Sequence, residues 1–194
     1  MTRDAVLDLF RASGALLEGH FRLTSGLHSN GYLQCALVLQ HPKHAEALGG
    51  ALAERVRALD VQLVVSPALG GLIIGHEVGR GLGVRAIFAE RQEGVLTLRR
   101  GFSITPGERV LVVEDVLTTG GSTRETIDVV TKAGGRVVGA AAIVNRGGTV
   151  DLGVPFEALA TVSFPTWPAD AVPEWLAAIP VTKPGSRTEA SRPM

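Results

Sequence analysis

RVLVVEDVLTTGGST, residues 109–123, is the stretch from which the fold of this chain can first be inferred. Its valine and leucine run over residues 110–113 predicts a strand that is buried on both faces of a parallel sheet. Two carboxylates, Glu114 and Asp115, end the strand, and a turn of small and hydroxyl-bearing residues follows them. Apolar positions between Ile127 and Ala133 then indicate a helix.

The turn between this strand and this helix suits a phosphate group. Glycines let the backbone approach a ligand closely, and unpaired N–H groups at a helix start attract an anion. Ionised carboxylates only accept hydrogen bonds, so Glu114 and Asp115 suit the hydroxyl groups of a sugar. A phosphorylated ribose would satisfy both halves of the stretch.

Other classes of protein carry a similar pattern. An apolar strand that ends in acids occurs in P-loop nucleoside triphosphatases, and an ordinary α/β protein can have one without any ligand. The P-loop needs lysine after its second glycine, whereas His76 follows Gly75 here. The GLG at residues 81–83 lacks the third glycine of a dinucleotide-binding fingerprint. Both nucleotide-binding classes are therefore disfavoured.

The stretch resembles the phosphoribosyl pyrophosphate motif of type I phosphoribosyltransferases, in which a hydrophobic strand, an acidic pair and a T-T-G-x-S-like loop follow one another. The resemblance implies that Glu114 and Asp115 are catalytic and hold the 2′ and 3′ hydroxyls of the ribose. It also implies a substrate-binding loop with the 5′-phosphate at its centre, formed by Val116, Leu117, Thr118, Thr119, Gly120, Gly121 and Ser122.

The rest of the chain alternates between strand and helix patterns. This β-α-β alternation predicts an α/β fold with a mostly parallel central sheet flanked by helices. A glycine-containing turn at residues 66–71 is either a tight packing turn or a site for the pyrophosphate half of the substrate. Strands are predicted at residues 61–65, 84–88, 136–145 and 156–162, and helices at residues 4–17, 42–59 and 171–179, the last packed through Trp175.

Two segments depart from this alternation. The glycines of residues 19–34 and the Asn30-Gly31 turn signal predict short antiparallel strands. This segment resembles the F-x-L-x-S-G-x-x-S hood of orotate phosphoribosyltransferases, and Tyr32 and Leu33 align with its base-covering positions. Residues 89–102 are charged but contain the alternating piece VLTL, which predicts a flexible β-hairpin flap.

The flap carries three arginines, Arg91, Arg99 and Arg100. They are either solvated charges or, beside a pyrophosphate site, groups that neutralise a leaving group. The resemblance implies a catalytic loop here that often reaches into the neighbouring subunit. We expect Arg91, our first choice, and Arg100 to be catalytic, and Arg91 and Arg99 to bind substrate. Known members have lysines where Thr24 and Gly70 stand here, which leaves the pyrophosphate-binding cation open.

Arg146 directly follows the predicted strand at residues 136–145. It is either a surface charge or a ligand-binding group, because open α/β sheets bind their ligands at the carboxyl ends of the strands. The planar guanidinium matches a carboxylate at two points. In orotate phosphoribosyltransferases an arginine at the matching place clamps the orotate carboxylate, so the resemblance assigns this role to Arg146.

Length and composition set the remaining expectations. The 194 residues predict one domain over residues 1–182, with a hood from about 19–40 and the C-terminal segment, and a disordered tail at 183–194. Nineteen basic and nineteen acidic residues give no sign of a nucleic-acid partner. A single cysteine excludes an internal disulfide, and no apolar run reaches ~18 residues, so no membrane partner and a cytoplasmic location are expected.

The resemblance as a whole implies an orotate phosphoribosyltransferase with a variant, short catalytic loop. Such an enzyme transfers ribose 5-phosphate from phosphoribosyl pyrophosphate to orotate in UMP biosynthesis. Mg²⁺ is the expected cofactor, held mainly through the substrate without direct side-chain ligation, and a homodimer with flap residues shared between subunits is implied. A purine or uracil phosphoribosyltransferase, or a non-catalytic regulator that senses phosphoribosyl pyrophosphate, are the alternatives.

Overall fold

Hydrophobic runs of the sequence form the strands of two sheets in the computed structural model, which describes residues 1–23 and 25–183. The strands, in chain order, are β1 Leu16–Arg22, β2 His28–Leu33, β3 Leu63–Pro67, β4 Arg85–Gln92, β5 Val95–Leu98, β6 Arg109–Leu117, β7 Arg136–Asn145, β8 Phe156–Thr161, β9 Thr166–Trp167 and β10 Val181–Thr182. The helices are α1 Arg3–Ala12, α2 Cys35–Leu39, α3 Pro42–Val56, α4 Gly71–Leu82, α5 Gly121–Lys132 and α6 Glu174–Ala177, and a 3-10 turn follows α3 at Arg57–Leu59.

The main sheet has the strand order β5-β4-β3-β6-β7-β8 within the described residues. Strands β4, β3, β6, β7 and β8 pair in parallel, and only the β4–β5 pair is antiparallel. Residues 110–113 of β6 are fully buried. Leu111 and Val113 belong to one hydrophobic cluster while Val110 and Val112 belong to the other, because successive side chains point to opposite faces of a strand. The predicted doubly buried strand is confirmed.

Helices cover both faces of this sheet. Leu48 and Leu52 of α3 and Ile74 of α4 join the cluster that contains Leu111. Val130 of α5 joins the cluster on the other face. The α/β class and the mostly parallel sheet are therefore confirmed. None of the described helices is long and apolar enough to cross a lipid bilayer.

The second sheet forms the predicted hood and has the strand order β10-β1-β2-β9 within the described residues. Strands β1 and β2 are antiparallel, as predicted. The turn predicted at Asn30-Gly31 was wrong, because both residues lie inside β2 and the chain turns before them, where the N–H of Leu23 donates to the carbonyl of Leu27. The C-terminal segment is joined to them through β9 and β10, and His20 Nδ1 lies 3.0 Å from the carbonyl oxygen of Ile179. Of the predicted tail, residues 184–194 lie outside the described residues, as does Thr24.

Two helix predictions were wrong in extent. The first helix ends at Ala12 rather than near Leu17, because Gly14 takes a left-handed conformation at φ 65° and its N–H bonds to the carbonyl of Arg11. Leu16 and Leu17 instead begin β1. The last helix spans only Glu174–Ala177, and its packing residue is the fully buried Leu176, since Trp175 is 56% exposed.

Candidate active site

The carboxyl ends of β3, β6 and β7 meet at one edge of the main sheet. Parallel pairing sets Leu117 of β6 beside Asn145 of β7, and the N–H of Arg146 donates to the carbonyl of Leu117 at 2.7 Å. The turns that follow these strands therefore lie together, as expected for the ligand edge of an open α/β sheet.

A small cavity, which we call the loop cavity, lies at the start of α5. It is lined by Glu114, by the predicted loop of residues 116–122, and by Thr123 and Glu125. Gly120 has φ 78°, a conformation that glycine adopts without steric cost, and α5 begins at the next residue. The unpaired N–H groups of that helix start are available to a phosphate in this cavity.

Glu114 and Asp115 occupy the boundary between this cavity and a larger one. Glu114 is 8% exposed, and its Oε1 accepts from the N–H of Asp115 at 3.2 Å. The N–H of Val116 donates to Asp115 Oδ1 at 2.7 Å. Glu114 lines the loop cavity while Asp115 lines the larger cavity, so the two carboxylates face neighbouring spaces.

The carboxyl pair binds protons more tightly than free carboxyl groups do. Burial raises the pKa of Glu114 well above its usual range, and the charge of Asp115 raises it further. Burial also raises the pKa of Asp115, and hydrogen bonds from Glu114 and Val116 partly oppose this effect. Hydroxyl groups that donate hydrogen bonds to the pair, and cations beside it, would favour its ionised form. A phosphorylated sugar with a bound cation supplies both.

The larger cavity, which we call the hood cavity, lies between the hood and the main sheet and has a volume of about 820 Å³. Tyr32 and Leu33 of β2 line it, as predicted, together with Asp115 and Arg146. Burial raises the pKa of Tyr32, with the charge of Asp115 as the next cause. The Tyr32 hydroxyl therefore stays protonated near neutral pH and can donate a hydrogen bond.

Arg146 is half-buried in the hood cavity and faces the ring of Phe164, with its Cζ 5.0 Å from the ring centroid. Within the described part of the chain, its guanidinium has no hydrogen bond and no salt bridge. Burial lowers its pKa from the ordinary value. A partly desolvated guanidinium without a carboxylate partner is well suited to bind an anion that enters the cavity.

The predicted flap is confirmed as a hairpin of β4 and β5, and its arginines pair with acids. Arg91 lies 2.8 Å from Glu125, which lines the loop cavity. Arg100 donates to both carboxylate oxygens of Glu90 at 2.9 and 3.0 Å, and Arg99 lies 3.9 Å from the same carboxylate. Within the described residues, none of the three arginines lines either cavity, and Arg91 reaches the loop cavity only through its contact with Glu125.

Comparison with known proteins agrees with this geometry. The profile of the phosphoribosyl transferase domain matches residues 36–152. The chain belongs to the phosphoribosyltransferase family. It is 56% identical over 188 residues to an orotate phosphoribosyltransferase of Pelotomaculum thermopropionicum, covering 96% of this chain and 99% of the relative. An orotate phosphoribosyltransferase of Erythrobacter litoralis is 57% identical over 193 residues, covering 97% and 100%.

A solved phosphoribosyltransferase structure shares the fold. The crystal structure of orotate phosphoribosyltransferase from Aeropyrum pernix superposes with a TM-score of 0.66 at 26% identity and covers 80% of this chain and 93% of its own. The match extends over most of the chain.

Gly147 and Arg124 of this phosphoribosyltransferase site were not predicted from sequence, and neither was the close approach of Gly70 to Asp115. A Cβ on Gly70 would lie 2.8 Å from Asp115 Oδ2, and a Cβ on Gly147 would collide with the carbonyl oxygen of Thr118. Arg124 donates to the carbonyls of Thr119 and Asp151 and so fastens the loop at residues 118–122. The glycine pairs at residues 70–71 and 147–148, each after a strand, were the available signal.

Among the described residues, no three His, Cys, Asp or Glu side chains are grouped so that they could hold a metal ion by themselves. Glu114, Asp115 and Glu125 are the carboxylates that line the two cavities.

Proposed function

We infer that the chain is an orotate phosphoribosyltransferase. It transfers ribose 5-phosphate from phosphoribosyl pyrophosphate to a ring nitrogen of orotate and releases pyrophosphate, a step of UMP biosynthesis. The observation that carries this inference is the unpaired guanidinium of Arg146 in the hood cavity, next to the acidic pair. Orotate is a pyrimidine base with a carboxylate, so it fits a cavity that offers a flat covering strand and one arginine.

The proposed binding mode follows from the adjoining cavities. Val116, Thr118, Thr119 and Ser122 line both of them, so the two cavities adjoin, and we propose that one ligand spans them. The 5′-phosphate would occupy the loop cavity, where N–H groups are free at the start of α5. The ribose hydroxyls would donate to Glu114 and Asp115, which places the ribose C1 atom at the mouth of the hood cavity.

The reaction exchanges one bond at C1 for another. The bond from C1 to a pyrophosphate oxygen breaks, a bond from C1 to the orotate nitrogen forms, and the proton of that nitrogen leaves with the released pyrophosphate. Positive charge develops on the ribose between the two events, and the buried carboxylates of Glu114 and Asp115 stabilise it. The chain acts mainly by holding the two substrates in line.

The pyrophosphate is proposed to lie beside the turn at residues 68–70. Gly70 lies so close to Asp115 that this turn and the sugar-binding acids form one continuous surface. Mg²⁺ would be held mainly by substrate oxygens and water, because it gives up its water shell reluctantly, and the two adjacent carboxylates would offset its charge without ligating it directly. When bound, it would neutralise the leaving pyrophosphate. Arg91 is the flap arginine that we assign to the same charge.

We also propose that the protein is a homodimer in which the flap serves the neighbouring site. Large apolar side chains are exposed near the flap and at the start of α4: Leu69 is 76%, Ile73 45% and Val95 64% exposed. A second copy of the chain would cover them, and the flap arginines would then lie close to a site other than their own.

The function is tested by assaying pyrophosphate release with phosphoribosyl pyrophosphate, Mg²⁺ and one base at a time. Orotate, uracil, adenine and hypoxanthine form the panel, and we expect turnover with orotate to exceed that with the others by at least about a hundredfold. Efficient use of another base would support the assignment of the ribose-phosphate site but contradict the assignment of orotate as the substrate. Binding of phosphoribosyl pyrophosphate without turnover of any base would instead indicate a sensing protein.

A further inference from the structure

We infer that Phe164 is a positioning residue for the orotate carboxylate, acting by holding Arg146 over the face of its ring. This inference rests on the proposed function, since it concerns how the arginine recognises orotate. The Arg146 Cζ lies 5.0 Å from the Phe164 ring centroid, and both residues line the hood cavity. Within the described residues the Arg146 guanidinium makes no hydrogen bond and no salt bridge, and the Phe164 ring is its cation–π partner.

Stacking on a ring leaves the guanidinium edge open. A guanidinium donates its hydrogen bonds in its own plane, whereas an aromatic ring attracts it through its face. Phe164 can therefore fix the plane of Arg146 without using any of the N–H groups that a carboxylate needs. An acidic partner would fix the arginine as well, but it would compete with the substrate.

The segment that carries Phe164 is anchored by hydrogen bonds on both sides of this residue. On one side, the N–H of Val162 donates to the carbonyl of Asn145 at 2.9 Å, next to Arg146 in the chain. On the other side, the buried Ser29 Oγ donates to the carbonyl of Pro165 at 3.0 Å, and Ser29 pairs with Thr166 in the hood. The segment thus connects the main sheet to the hood with the ring between two anchors.

Gly31 provides the space that the ring occupies. A Cβ on Gly31 would overlap several atoms of the Phe164 ring, so an alanine there must displace the ring. The backbone of Gly31 does not lie in the left-handed region, so the glycine serves close packing rather than an unusual conformation. Gly31 precedes Tyr32 and Leu33 in β2, the strand that covers the hood cavity. Its contact with Phe164 therefore couples this strand to Arg146.

The test measures steady-state kinetics of Phe164→Leu, Phe164→Tyr and Gly31→Ala with the full chain, Mg²⁺ and phosphoribosyl pyrophosphate. Phe164→Leu should raise the KM for orotate about tenfold and leave the KM for phosphoribosyl pyrophosphate unchanged. Phe164→Tyr keeps the ring and should retain most of the orotate affinity. Phe156→Leu is the control for general loss of an aromatic ring, because Phe156 is the first residue of β8 and packs against the hydrophobic cluster on the α5 side of the main sheet.

Gly31→Ala provides an independent perturbation in case Phe164→Leu does not fold. It should raise the KM for orotate by displacing the ring, and it should add little in the Phe164→Leu background because the two changes act through one contact. Additive effects of the two substitutions would overturn the inference.

Arg146→Ala separates this inference from the proposed function. A large increase in the KM for orotate in Arg146→Ala, with less than a twofold change in both Phe164→Leu and Gly31→Ala, would overturn the positioning role and leave the function intact. An unchanged orotate KM in Arg146→Ala would overturn the carboxylate clamp itself.

Discussion

Gly70→Ala is a substitution that should impair the enzyme without unfolding it. The new Cβ would lie 2.8 Å from Asp115 Oδ2 and 2.9 Å from its Cγ and Oδ1, whereas ordinary contacts begin at 3.4 Å. The carboxylate must therefore move by roughly 0.5 Å or more, away from the position that holds the ribose hydroxyls. The Gly70 backbone has φ −56° and ψ −43°, a helical conformation that alanine adopts freely.

The expected magnitude follows from the size of this shift. A misplacement of about 1 Å in a positioned catalytic group can lower a rate on the order of a hundredfold. We expect kcat/KM for phosphoribosyl pyrophosphate to fall about ten- to a hundredfold. The free energy of unfolding should change by less than about 1 kcal/mol, because a glycine-to-alanine change in a compatible backbone is mildly stabilising.

Gly50→Ala is the matched control. Gly50 lies inside α3, and a Cβ there would meet nothing within 4 Å. The control should gain up to about 1 kcal/mol of stability from helix propensity and keep its activity. Steady-state kinetics and thermal melts of both variants provide the comparison. Wild-type kcat/KM in a folded Gly70→Ala protein would refute the claim that Asp115 must keep its observed position.

Three further predictions concern charge at the site. Asp115→Asn should lower turnover about ten- to a hundredfold. The variant should also lose less stability as the pH rises. Burial raises the pKa of Glu114, and the charge of Asp115 raises it further, so ionising Glu114 in the folded protein costs folding free energy. Asp115→Asn avoids part of that cost. Melting temperatures measured from about pH 5 to about pH 8 test this expectation. The same slope of melting temperature against pH in both proteins would contradict it. Arg91→Ala should reduce kcat/KM for phosphoribosyl pyrophosphate more than Arg100→Ala, because Arg100 is held through both carboxylate oxygens of Glu90 within the flap while Arg91 pairs with Glu125 outside it; equal losses would refute this order. Mixing Arg91→Ala with Asp115→Asn subunits should restore about a quarter of wild-type activity if the flap acts across a dimer, and no recovery would place the flap in its own site.

The sequence was sufficient to predict the parts of the structure that depend on local pattern. The run at residues 110–113 is buried on both faces, so its hydrophobicity alone identified the strand, and the strand at residues 136–145 was predicted with its observed bounds. The end of the first helix was missed because Gly14 and Gly19 offer the same stop signal. Only the hydrogen bonds formed at Gly14 distinguish them.

Contacts between distant segments could not be predicted in the same way. Phe164 was not recognised because its importance depends on its contacts with Gly31 and Arg146. Gly31 lies in β2 of the hood, whereas Arg146 follows β7 of the main sheet. Gly70 was placed in a candidate pyrophosphate-binding turn and noted as a missing lysine, but its close approach to Asp115, which leaves little room for a Cβ, was not predicted. Residue type suggested each candidate, but the packing of β2, β3 and β7 decides what each residue contacts.

The measurement that tests the central claim most directly is kcat/KM for orotate and for uracil in wild-type enzyme and Arg146→Ala. Uracil lacks the carboxylate, so it reports the rest of the site. We expect the substitution to lower kcat/KM for orotate on the order of ten- to a hundredfold while that for uracil changes less than about threefold. Equal effects on the two bases, or an unchanged value for orotate, would contradict the assignment of Arg146 as the carboxylate clamp.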